Sequence, residues 1–314
     1  MKKFLAMLFV LTMIFALAAC GTSDEDDTQG TDGDAQGEDA AGETPEKIVM
    51  GFVPSQDSET IADTVQPLAD RLSEELGIEV VGQVMTDYTA LVEAMGANQV
   101  QVGFIPAFGY VQANQQYDVE VILKSIRYGS GTYRAQYVVR ADSGIESLAD
   151  LEGKVWAYGD QGSTSGYLFP ANQLMAEFDI ANPTDLETDF FSGVVQTGGH
   201  DNSVQAVYDG DADVATTFED ARTEIEENYP DVMEKLKVIG YTEDIPNDTI
   251  SVTKELNDEL VQQIKTAFLA FNDDEEMIAI MKEVYNWDAI SEATDAEYKV
   301  VKDTYEIFKE SLTN

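Results

Sequence analysis

From residue 48 onward, short apolar runs alternate with longer stretches whose apolar residues recur at helical spacing, which restricts the chain to a strand-and-helix fold. Residues 48–53 form an apolar run closed by Pro54, the signature of a buried strand. Over 59–76, Ile61, Val65, Leu68, Leu72 and Leu76 keep to one helix face, and Gly77 stops it. A strand follows at 78–85, then a helix capped by Asp87 and running to Met95, a strand at 100–105, a helix from 107 and a strand at 119–126. That order predicts a mostly parallel sheet flanked by helices. A second unit of the same kind places strands at 137–139, 155–158, 189–195, 213–215 and 238–239, with helices at 163–178, 201–208 and 219–236. The tail, 256–314, reads as largely helical, with Leu260, Ile264, Phe268 and Phe271 on one face. Two α/β lobes with a cleft between them fit this count better than one long sheet.

Charge narrows the function. The 314 residues carry 60 acids against 18 bases, a formal net charge of −42. Such a surface repels nucleic acid and disfavours docking on anionic lipid through a basic face. One Cys and one His exclude a disulfide framework, a Cys-rich zinc site and a multi-histidine metal centre, and no cofactor is implied.

The Cys has a distinctive setting. Lys2 and Lys3 precede an uncharged apolar stretch over 4–19, as in a secretory signal. Leu17-Ala18-Ala19-Cys20-Gly21 resembles a bacterial lipobox, which predicts cleavage before Cys20, its lipidation, and a protein held on the outer face of the cell membrane by lipid alone. Residues 20–47 are acidic and small, with too little apolar area to order themselves, and read as a disordered tether.

Two glycine-rich turns stand where a strand passes into a helix. In Gly159-Asp160-Gln161-Gly162-Ser163-Thr164-Ser165-Gly166, three hydroxyls reach the first helical turn, where free N–H groups favour an anion. The loop lacks the Lys of a P-loop, and Thr164 stands where a nucleophile elbow needs Ser. An ordinary Ser/Thr-capped helix explains the same spacing. In Gly198-Gly199-His200-Asp201, His200 can donate to an anion, or Asp201 can simply cap the helix. Asp213, Glu219, Asp220 and Asp248 can balance a ligand ammonium or lie solvated; Tyr88 and Tyr133 can line a cleft or pack.

These residues, with Gly51-Phe52-Val53-Pro54-Ser55, Asp87-Tyr88, Val102-Gly103-Phe104-Ile105 and Ile245-Pro246-Asn247-Asp248, resemble the phosphate/phosphite/phosphonate-binding family of ABC-importer solute receptors over roughly 48–255. The resemblance implies a periplasmic-binding-protein-like (type II) flytrap with a mixed, mostly parallel sheet in each lobe, acting as a monomer with an ABC permease and its ATPase. It implies lobes of 48–133 plus 244–314 and of 134–243, hinged near 134–139 and 238–246. Ser163, Thr164 and Ser165 would hold phosphonate oxygens, aided by Tyr88, Tyr133 and His200, with Glu219 and Asp248 on a ligand amine. A neutral donor set would spare the protein a buried Arg and keep release easy. Acids beside an oxyanion need a cation between them, which points to 2-aminoethylphosphonate, or else one acid accepts a proton from the ligand. Phosphite, phosphate or another small anion is the alternative cargo. A serine hydrolase using Ser163 or Ser165 with His200 is the competing class.

Overall fold

The computed structural model describes residues 44–56 and 58–311, so the expected leader and nearly all of the tether lie outside the described residues. Among the described residues, eleven strands form two sheets. The first contains β1 (Lys47–Phe52), β2 (Glu79–Val84), β3 (Val102–Ile105), β4 (Glu120–Ile126), β10 (Thr249–Val252) and β11 (Ala289–Glu292), in the order β11-β4-β10-β3-β1-β2. The second contains β5 (Thr132–Arg140), β6 (Val155–Tyr158), β7 (Gly193–Gln196), β8 (Val214–Phe218) and β9 (Leu236–Pro246), in the order β7-β6-β8-β5-β9.

The expectation of mostly parallel sheets is overturned. Parallel pairing holds for β1 with β2 and β3, and for β6 with β7 and β8. The other five of the nine strand pairings are antiparallel. In the first sheet the reason is chain return. After leaving the second sheet the chain comes back as β10, which wedges between β3 and β4 and runs against both. An order of elements along the sequence cannot reveal a strand inserted from a hundred residues away.

Local differences have local causes. The helix expected over 219–236 is a 3-10 turn at Ala221–Ile225 and a short helix at Val232–Lys235, interrupted around Pro230, whose ring blocks a continuous helix. Residues 189 and 190 belong to a wide turn, Leu186–Phe190, and the strand begins only at Gly193. The expected hinge segments, 134–139 and 238–246, lie inside β5 and β9, which pair with each other within one sheet. Passage between the sheets occurs at 127–131 and at 247–248.

Helices α1 (Ser58–Leu76), α2 (Tyr88–Gly96) and α3 (Ala107–Tyr117) follow the first three strands. Phe52 stacks on Phe104 at 4.3 Å, and Trp287 stacks on the same ring at 5.5 Å, so residues far apart in the chain share the first core. In the second sheet Trp156 is fully buried among Tyr158, Tyr167 and Phe191, its indole N–H donating to Thr216 Oγ1 at 2.8 Å. The C-terminal helix, Lys299–Ser311, touches both halves: Tyr305 packs on Phe108 and Phe308 meets Tyr167 edge-on.

Candidate functional site

Strand ends gather the site. Ser55 and Gln56 follow β1, Ser163 to Ser165 follow β6, His200 follows β7 and Phe218 ends β8; the C-terminal ends of parallel strands are where open α/β sheets present ligand-binding loops. Arg127 and Asp248 come from the two passages between the sheets, Tyr88 from the start of α2, Tyr133 from β5 and Tyr285 from the helix Glu275–Tyr285. Together they enclose a cavity of about 20 Å³, traced by the centre of a water-sized sphere.

Local geometry aims protons inward. Ser163 caps the turn Thr164–Leu168, a wide π-type turn that leads into the helix α4 (Phe169–Glu177). Its Oγ accepts the Gly166 N–H at 3.0 Å. Thr164 Oγ1 accepts the Phe108 N–H, which crosses from the start of α3, at 2.9 Å. With a lone pair engaged in this way, the Thr164 hydroxyl keeps its proton to give, and the Ser163 hydroxyl can give its own to an anion or to His200. Among the described residues the N–H groups of Thr164 and Ser165 meet no acceptor. Tyr88 and Tyr133 line the same cavity as Ser163, Thr164 and Ser165. Burial raises both phenols, so each remains a donor at neutral pH.

His200 is buried, 4% exposed, and places Nε2 3.3 Å from Ser163 Oγ. Burial, reinforced by Arg127, pushes the imidazole down to about 3, leaving it neutral. Among the described residues Nδ1 has no partner, so the Ser–His contact lacks the carboxylate that orients a hydrolase histidine. Burial raises the Asp248 carboxyl and Arg127 pulls it the other way.

Seven of the eight residues expected to bind ligand line this cavity: Tyr88, Tyr133, Ser163, Thr164, Ser165, His200 and Asp248. Glu219 does not. It pairs with Arg134, at 2.5 Å from Nη2, in a neighbouring pocket of about 410 Å³ that also holds Asp220 and Asp244. Asp213 is elsewhere, accepting the Val155 N–H at 2.9 Å. The neutral donor set is corrected by Arg127, which lines the cavity at 6% exposure. A signal for it existed: a lone Arg between an apolar strand and Tyr128-Gly129-Ser130-Gly131 is a cation fixed by a tight turn. Ser55, noted only as part of a matching stretch, and Gln56 were not expected in the site, although their place after a parallel strand marked them. Nothing in the sequence singles out Tyr285.

The model of the family described as "ABC transporter, phosphonate, periplasmic substrate-binding protein" matches residues 50–298. The chain belongs to that family. Among curated relatives, the "Phosphate-import protein PhnD" of Mycolicibacterium smegmatis is 27% identical over 233 residues, 71% of each chain. A binding-protein component of an ABC phosphonate transporter from Pseudomonas aeruginosa superposes with a TM-score of 0.75 at 21% identity, covering 84% of this chain and 87% of that one. PhnD1 of Prochlorococcus marinus, crystallised with methylphosphonate, gives 0.72 at 17% identity, covering 84% and 98%. At these identities the two structures establish the two-lobed periplasmic-binding-protein-like fold alone. The protein is thus an extracytoplasmic solute-binding component of an ABC transporter for phosphonate-type anions.

Proposed function

We propose that this family member captures a compact oxyanion built on a single phosphorus, of the methylphosphonate, phosphite or hydrogenphosphate class, and passes it to an ABC permease. The size and lining of the cavity carry this reading. A sphere whose centre roams about 20 Å³, widened by a water radius, has a radius of about 3 Å, the reach of one tetrahedral oxyanion. Three hydroxyls and two phenols supply donors, and Asp248 suits a ligand oxygen that still carries a proton. The two-acid grip expected for an amine is not assembled, because Glu219 is engaged by Arg134. The relatives named for phosphate import and crystallised with methylphosphonate fit the same ligand size.

In this reading the two sheets are the two lobes, and the passages at 127–131 and 247–248 are the hinge on which they close. Calorimetric titration of the full-length chain with methylphosphonate, phosphite, phosphate and 2-aminoethylphosphonate tests the ligand. The first three should include the tightest binder, with the aminoethyl compound at least about tenfold weaker. Preference for the amine-bearing ligand, lost in Asp248→Asn, would overturn it in favour of a zwitterion.

The proposal includes a lipid anchor at Cys20, supported by the Leu17-Ala18-Ala19-Cys20 sequence. Cys20→Ser should move the protein from the membrane fraction to the soluble one. Retention on the membrane would refute the anchor.

A further inference from the structure

Arg127 is held with unusual rigor for a residue that makes so few bonds. It opens a tight turn in which Arg127 and Ser130 exchange backbone hydrogen bonds of 3.0 and 2.9 Å. Both central residues, Tyr128 and Gly129, have positive φ, 50° and 73°. For Gly129 that conformation is free of strain; for Tyr128 it is not. An additional bond from the Tyr128 N–H to Asp288 Oδ2, 2.6 Å, pins the strained residue.

The guanidinium so positioned lies against two ring faces, 4.7 Å from Phe218 and 5.8 Å from Tyr133. Its Nε is buried without an acceptor, and among the described residues the side chain makes no ion pair and donates no hydrogen bond. Asp248, Glu224 and Asp288 all feel its charge, yet none pairs with it. A buried, always-charged fork with no carboxylate is costly unless something else completes it. It lines the same cavity as the three hydroxyls.

We propose that Arg127 supplies the positive charge for the bound anion and so fixes the charge class that the receptor accepts, an inference that rests on the ligand reading above. A neutral donor set can hold a tetrahedral group of any charge; a buried guanidinium favours one that brings negative charge to it. Arg127 also stands on one passage between the sheets and Asp248 on the other. An anion bridging both therefore ties the two passages together when the lobes close. A planar fork gives two parallel bonds where a Lys gives one point charge.

Two variants of the full chain, Arg127→Met and Arg127→Lys, test this by calorimetry with methylphosphonate, phosphite and phosphate and by melting without ligand. Arg127→Met should bind about ten- to a hundredfold more weakly, the loss of one charged hydrogen-bonding partner. Arg127→Lys should recover part of that loss. Without ligand, Arg127→Met should melt at the wild-type temperature or above it, because an uncompensated buried charge is replaced by a side chain of similar length. Unchanged affinity in Arg127→Met would overturn the inference. So would a ligand-free melting point several degrees lower, which would make the guanidinium a structural group whatever happens to binding. If the wild-type chain binds none of the three anions, the ligand reading fails; the ligand-free melting comparison still decides the role of Arg127.

Discussion

Asn247→Ala should destabilise the protein by about 2–3 kcal/mol, because it removes one buried and one partly buried side-chain bond. Asn247 is fully buried on the second passage between the sheets. Its Nδ2 donates to Ser125 O at 3.0 Å, just before the first passage, and to Ser130 O at 2.8 Å, within it. Its backbone N–H donates to Gly131 O, and its own carbonyl accepts the Tyr298 hydroxyl. One side chain thus staples both passages. Alanine keeps the backbone bonds but leaves two carbonyls short of a donor, and opens a small void beside them. For a body of this size the thermal midpoint should drop by roughly 4–10 °C. A change under a degree would show that water replaces the amide and that the staple is not needed.

Gly162→Val should weaken ligand binding by well over tenfold while leaving each half folded. A Cβ at residue 162 would lie 2.7 Å from Tyr88 Cβ and 3.0 Å from Asp160 Oδ1. Tyr88 opens α2, on the first-sheet side, whereas Gly162 belongs to the loop after β6. The closer clash, with Tyr88, therefore falls between the halves, and it is relieved by parting them. If closure is needed for tight binding, apparent affinity falls with the closed fraction. Titration with the best wild-type ligand reads the affinity, and small-angle scattering reads the separation. Unchanged affinity would mean that α2 yields locally and closure is not at stake.

Much of the fold was legible. Apolar runs marked β1 and β6 almost to the residue, and the Asp87 cap was visible because its side chain must take the Ala90 N–H, which it does at 2.7 Å. The hydroxyl triad stood out because it sits in a glycine-rich turn from strand to helix, although a capped helix alone explains that spacing. What escaped was non-local. Strands β10 and β11 are four residues each, and only their partners across the chain, β3 and β4, make them strands. Glu219 and Asp248 look alike in sequence. Pairing with Arg134 removes one from the cavity, and position on the passage puts the other in it. Arg127 was passed over because a charged residue near a turn is normally solvated, and its burial depends on Phe218, ninety-one positions later.

The wedge made by β10 also bears on how such a chain is made. Until residues 249–252 emerge, β3 and β4 have nothing between them, and the first sheet remains in two pieces. Folding that waits on so distant a contact is slow, since a long loop must close before any pairing repays it. For a protein that works outside the cytoplasm, delay is useful. A chain threaded through an export channel has to stay unfolded, and this one cannot join the two pieces of its first sheet before β10 is made, nor complete it before β11 has followed.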